Sequence, residues 1–237
     1  MKQQSPDSVG KQLISEIQKL GQSQGLNTVF TTFLEISAVC LDAQFNLEHR
    51  EQQEARYAAM TANMTPEELS AYAKMLALLY LEIRKYQDEP RDILGSVYHS
   101  LNLNNEWNGQ FFTPDNLCRM MAELTGFVSE DGLKKKGFAT IQDPACGSGA
   151  MFLAYVYARK QRGMDFQTTH LFVGRDIDIR CVWMAYIQLC LYEIPAVVIH
   201  GDSITMEEWS TWQTPYAPLP ILAAQERKRQ ESEVMPA

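Results

Sequence analysis

Three carboxylates and a hydroxyl stand where apolar runs give way to turns, and their surroundings suit a nucleoside-like ligand. The first is Asp143, in Ala139-Thr140-Ile141-Gln142-Asp143-Pro144-Ala145-Cys146-Gly147-Ser148-Gly149. Glycines in such a turn let a ligand approach backbone that a Cβ would block, and the helix that follows offers unpaired N–H groups at its start. The second is Asp176, which closes Leu171-Phe172-Val173-Gly174-Arg175-Asp176-Ile177-Asp178. A carboxylate ending a Rossmann-type strand accepts two hydrogen bonds from a vicinal diol, which assigns Asp176 to ribose hydroxyls and Ile177 to the face of an adenine ring. Asp178 is then the cap of the next helix, with an exchange of these two roles left open. The third is Asp202, in Ile199-His200-Gly201-Asp202-Ser203-Ile204, where His200 reads as structural because no partner for it is visible. The hydroxyl is Thr113, in Gly109-Gln110-Phe111-Phe112-Thr113-Pro114: a threonine capping a helix would set its OH and free N–H groups beside an anion.

These side chains meet only if alternating strands and helices carry them to one edge, and the pattern after Trp107 is of that kind. Thr113-Pro114 opens a helix to about Thr125, Ala139 to Gln142 is a short strand, and Gly149 to Arg162 is a helix. A second strand over Leu171 to Gly174, a helix from Asp178 to Leu191 and a third strand over Ala196 to His200 complete the alternation. Residues before this region read as helices instead. Leu13, Ile14, Ile17 and Leu20 fall at helical spacing, and a second helix covers Val29 to Leu41. Thr65-Pro66-Glu67-Glu68 carries a capping box ahead of a helix to about Tyr86 with Leu69, Tyr72, Leu76, Leu79 and Ile83 inward. Pro90 closes that segment. The expected division is a helical region over 1–105, an α/β domain over 106–224 and a charged tail over 225–237.

Of the 237 residues 46% are hydrophobic, enough for one full core with a smaller appendage. No stretch approaches the about 20 uninterrupted apolar residues of a membrane span, so a cytoplasmic location is expected. Five cysteines without a CxxC pair fit neither a disulfide framework nor a zinc site, and they read as reduced and mostly buried. The net charge of -8 is shared evenly between the two halves, so neither is a basic nucleic-acid module. DNA contact then needs a local patch, for which Lys134, Lys135 and Lys136, or Arg159, Lys160 and Arg162, are the candidates beside an ordinary solvated face.

The string DPACGSG (143–149) resembles the S-adenosylmethionine (SAM) motif of N6-adenine DNA methyltransferases, especially the modification subunits of type I restriction systems. GQFFTP (109–114) is similar to a segment that precedes the glycine loop in the same enzymes. The resemblance covers about residues 95 to 205 and implies a Rossmann-like SAM-dependent methyltransferase fold. It implies that Asp143 holds the methionine ammonium, that Ala145, Gly147 and Gly149 pack against the cofactor, that Phe111, Phe112 and Thr113 lie by the methionine carboxylate, and that Asp202 accepts from the adenine amine. Small proteins of plasmids, phages and other mobile elements carry the same motifs.

In that family a strand-end loop of the form Asp/Asn/Ser-Pro-Pro-Tyr/Phe orients the target amine and stacks on the flipped base. No such string follows Asp202; the nearest is Thr214-Pro215-Tyr216, without a second proline and without a recognisable strand before it. The sheet is therefore expected to be truncated, with an edge covered by the N-terminal helices, by self-association or by a partner subunit. Two functions stay open. One is an active DNA adenine methyltransferase helped by Tyr216, an N-terminal aromatic or a partner chain. The other is a methyltransferase-derived binding protein of the anti-restriction or mobile-element maintenance kind. A small-molecule or RNA methyltransferase ranks below both, and a loop that is not GxGxxG disfavours NAD.

Overall fold

The computed structural model describes residues 8–103, 113–124 and 137–234. Lys134, Lys135, Lys136, Phe111 and Phe112 fall outside the described residues.

Five helices come first: α1 (Ser8–Gln24), α2 (Leu26–Phe45), α3 (Arg50–Thr61), α4 (Pro66–Lys85) and α5 (Ile93–Ser100). The start of α4 is dictated locally. Thr65 accepts from the Glu68 amide at 3.2 Å, Glu68 accepts from the Thr65 amide at 2.7 Å, and Pro66 takes the first helical position. Glu67 and Glu68 in the first turn and Arg84 and Lys85 in the last complement the helix dipole.

Helix α2, at 20 residues, is long and apolar enough to cross a membrane by length and composition, contrary to the expectation that no segment is. Its apolar residues are spent on the core: Val29, Phe30, Phe33, Leu34 and Val39 are fully buried, and Glu35 on its outer side pairs with Arg56 of α3 at 2.7 Å.

Helix α6 (Asp115–Leu124) leads to the alternating region β1 (Ala139–Asp143), α7 (Ala150–Gln161), β2 (His170–Asp176), α8 (Ile179–Leu191), β3 (Ala196–Gly201), β4 (Glu208–Gln213) and α9 (Leu219–Val234). The strands form one sheet in the order β1-β2-β3-β4, with β1, β2 and β3 parallel and β4 antiparallel to β3. Parallel neighbours need a crossover, and α7 and α8 supply the two. One face of the sheet is buried by them. Phe172 of β2 meets Phe152 and Tyr155 of α7 at 5.5 and 5.8 Å between ring centroids, and Trp212 of β4 meets Trp183 and Tyr186 of α8 at 6.3 and 5.4 Å. On the other face Leu171, Val173, Val197 and Ile199 are only half-buried.

The expected edge cover takes a different form. The N-terminal helices pack on the helical layer through α2 and α8 in one continuous core, and β4 closes the outer side of β3. Helix α9 runs straight through the boundary expected at 224/225, and its buried Ala224 rests against Gly137 just ahead of β1.

Candidate cofactor site

Because β1, β2 and β3 are parallel, their C-terminal ends lie on one side, and Asp143, Asp176 and Asp202 are the residues found there. Hydrogen bonds tie the three ends together. The turn after β1 bends over β2: the Cys146 amide donates to the Arg175 carbonyl at 2.9 Å and the Gly147 amide to Asp176 Oδ2 at 2.9 Å. It is also fastened to the turn after β3, where the Ser203 hydroxyl donates to the Pro144 carbonyl.

Backbone conformation explains the small residues. Gly147 at φ 53° and Gly149 at φ 89° occupy the left-handed region that a side chain disfavours. Gly174, beneath the loop in β2, has no such angle, yet a Cβ there would lie 2.9 Å from Cys146 Sγ and 3.0 Å from Phe152 Cε2. Gly149 caps α7 without any side-chain hydrogen bond, so that helix presents first-turn N–H groups to the loop.

Each acid fixes its own turn with one oxygen. Asp143 Oδ1 accepts from the Ala145 amide at 3.0 Å, and Asp202 Oδ1 accepts from the Ile204 and Thr205 amides at 2.7 and 3.2 Å. Asp176 uses both oxygens, the second accepting from the Asp178 amide at 2.9 Å. A carboxylate has about four lone-pair directions, so acceptor capacity is left in all three. Burial first, then the charges of Asp178 and Asp143, push the Asp176 carboxyl up against the pull of its two backbone bonds. Burial, then the charges of Asp176 and Asp143, push the Cys146 thiol well above its ordinary value, so it is a neutral packing group. The field at the strand ends is negative, and it suits a ligand that brings positive charge.

Asp178 caps α8, as the sequence suggests, accepting from the Arg180 amide at 2.9 Å, while Asp176 accepts from the glycine loop. Ile177 is 64% exposed beside Asp176. His200 has partners the sequence did not reveal: Trp209, with ring centroids 4.7 Å apart, and the Ile177 carbonyl, 3.3 Å from Nε2.

Thr113 is not the helix cap. The Leu117 and Cys118 amides both donate to the Pro114 carbonyl, so α6 begins at Asp115 and Thr113 stands exposed outside the first turn. Its carbonyl accepts from the Cys118 thiol at 3.5 Å, and burial first, then the charges of Asp92, Asp115 and Asp143, raise the Cys118 pKa to about 12.

Thr214-Pro215-Tyr216 is elsewhere. A strand does precede it, but β4 runs antiparallel and delivers the segment to the start of β3, at the far end of the sheet from Asp202. Thr214 Oγ1 donates to the Ile194 carbonyl at 2.8 Å and accepts from the Ala196 amide at 2.9 Å, which makes it a structural bridge. The second basic cluster is likewise spent: Arg159 donates to the Asp165 carbonyl, Lys160 to the Gln87 carbonyl, and Arg162 pairs with Glu123. An open groove lined by Lys160, Met164 and Phe166 lies at the opposite end of α7 from the glycine loop.

Three further residues belong to the site and were missed. Asp92, Ser148 and Gln188 share hydrogen bonds at the back of the loop, Ser148 donating to Asp92 at 2.5 Å. The available signal was Asp92 ahead of Ile93-Leu94-Gly95, an N-cap before a short helix, after Pro90 had been read only as a stop.

Residues 89–218 match the family model described as N-6 DNA Methylase. Among solved structures, a Listeria monocytogenes protein assigned to the class I S-adenosylmethionine-dependent methyltransferases aligns at 18% identity and a TM-score of 0.42, covering 84% of this chain and 55% of that one. The methyltransferase subunit of a type I restriction-modification system from Streptococcus thermophilus aligns at 16% identity and a TM-score of 0.43, covering 87% of this chain and 60% of that one. The chain thus spans 55% and 60% of the length of those two structures. No curated protein matches it.

Proposed function

Since this chain belongs to the N-6 DNA methylase family, we propose that it binds SAM at the C-terminal ends of β1, β2 and β3 and works as the cofactor-holding part of a DNA adenine-N6 methyltransferase. The observation that carries the reading is the pair of hydrogen bonds, Gly147 to Asp176 and Ser203 to Pro144, which tie together the turns at the ends of β1, β2 and β3 where Asp143, Asp176 and Asp202 stand. In this reading Asp143 takes the ammonium, Asp176 the ribose hydroxyls, Ile177 the face of the adenine and Asp202 its amine. Thr113 and the first turn of α6 stand by the methionine carboxylate. Bound SAM supplies an electrophilic methyl group on a sulfonium, and the negative strand ends favour that cation. The chain's own residues bind and orient it.

Holding the target amine is a separate task. The sequence contains no Pro-Pro dipeptide, and Thr214 to Tyr216 are committed to the far end of the sheet. In this proposal the loop that presents the DNA adenine lies outside these 237 residues, as a partner subunit could provide, in a restriction-modification setting and in the cytoplasm. A second reading has the position of Thr214 in its favour: a protein of mobile elements that keeps the cofactor site and acts in anti-restriction or maintenance without methyl transfer.

Calorimetric titration with SAM tests the shared premise. Binding that Asp143→Ala abolishes is the expected result, and no heat with the wild-type protein would refute both readings. Incubation with single- and double-stranded DNA, with and without a methyltransferase partner subunit, separates them: N6-methyladenine in the digest supports the first, and binding without product supports the second.

A further inference from the structure

We infer that Asp92 and Ser148 are a positioning pair through which the N-terminal helical region sets the shape of the cofactor loop. The inference rests on the proposal that this loop takes SAM. It assigns the helical region a part in the cofactor site.

An N-cap needs one oxygen, and Asp92 Oδ1 meets that need by accepting from the Gly95 amide at 2.8 Å. Its second oxygen crosses to a residue 56 positions away, accepting from Ser148 Oγ at 2.5 Å. Gln188 of α8 closes the ring. Its Nε2 donates to Asp92 Oδ1 at 3.0 Å and to the Ser148 carbonyl at 2.8 Å, and its Oε1 accepts from the Ile93 and Leu94 amides at 2.7 and 3.0 Å. Three elements are bound through three side chains.

Gly95 is shaped to permit this. A Cβ on it would sit 2.0 Å from Asp92 Oδ2 and 2.7 Å from Cγ, so any larger residue drives the carboxylate out of its place against Ser148. A second clamp lies one turn along α8, where Tyr192 accepts from the Arg91 amide at 3.2 Å and donates to the Arg91 carbonyl at 3.1 Å.

Ser148 is the one side chain between Gly147 and Gly149, two residues whose backbone freedom is otherwise costly to suppress. Fixing it before ligand arrives removes an ordering cost that binding would have to meet.

The test uses the full chain and two readouts. Hydrogen–deuterium exchange of the amides of residues 146–150, without ligand, reports loop order; calorimetry reports SAM affinity. Ser148→Ala is expected to speed loop exchange and weaken SAM by about tenfold, the loss of one hydrogen bond to a charged group. Exchange in α4 should not change. Asp92→Asn keeps an acceptor for Gly95 and can donate to Ser148, so it should leave both readouts near the wild-type values. Gly95→Ala keeps every partner and favours the helix while displacing the carboxylate, and it must reproduce the fast loop exchange. Unchanged loop exchange in Ser148→Ala or in Gly95→Ala overturns the inference. A wild-type protein that binds no SAM refutes the proposed function, while the exchange data still decide on the tether.

Discussion

Replacing His170 with glutamine should remove one defined contribution to the acid sensitivity of this fold. His170 opens β2 and is completely buried. Its Nδ1 lies 2.8 Å from Thr169 Oγ1, and its Nε2 lies 3.2 Å from the Tyr155 hydroxyl. Thr169 spends its own proton on the Asp165 carbonyl at 2.7 Å, which assigns the tautomer: Nδ1–H donates to Thr169 and Nε2 accepts from Tyr155. A second proton, on Nε2, would require the Tyr155 hydroxyl to turn from donor to acceptor. Burial, and then the charge of Arg159, lower the pKa from 6.5 to about 4. A depressed value in the folded state means that the stability is fully present above 6.5 and is lost as pH falls toward about 4. Each unit within that window is worth about 1.4 kcal/mol, so about 2 to 3 kcal/mol disappears between neutrality and about pH 4.5. Asp92 and Asp176 work in the opposite sense. Burial raises both carboxyls, so their contribution is present at low pH and lost as pH rises. The assay is therefore a difference: urea unfolding of wild type and His170→Gln at both pH values, followed by circular dichroism. Acidification should cost the wild type about 2 to 3 kcal/mol more than the variant. Parallel losses in the two proteins would refute the account of the ring.

Gly174→Ala brings a Cβ to 2.9 Å from Cys146 Sγ, both of them held between sheet and loop, and should destabilise by about 1 to 3 kcal/mol in urea while weakening SAM in calorimetry. Thr214→Val strands the buried Ala196 amide and Ile194 carbonyl, for a loss of about 2 kcal/mol in the same unfolding assay, and leaves SAM affinity unchanged. A fall in affinity there would put Thr214 back among the site residues.

Wherever physics is local, the chain is readable from its residues. Thr65 and Glu68 are three positions apart, and a capping box needs nothing else. The strand endings at Asp143 and Asp176 were legible for the same reason, an apolar run meeting an acid and a turn. Strand β4 was not. Glu208-Trp209-Ser210-Thr211-Trp212-Gln213 lies at a sheet edge, where exposed polar residues alternate with a buried Trp212, and its antiparallel course follows from pairing with β3. That course alone sends Tyr216 to the end of the sheet opposite Asp202.

What the sequence determined by itself is therefore the strand-end region: a glycine loop, two strand-end acids and a third after β3, whose residue types are demanded by backbone angle and hydrogen-bond capacity within a few positions of each. What only the tertiary structure decided is which distant groups those residues meet. Asp92 reaching Ser148, and Thr214 bridging Ile194 and Ala196, are products of packing across many intervening residues. Such partnerships are chosen by the burial of whole helices and strands, a quantity that no short string of residues encodes.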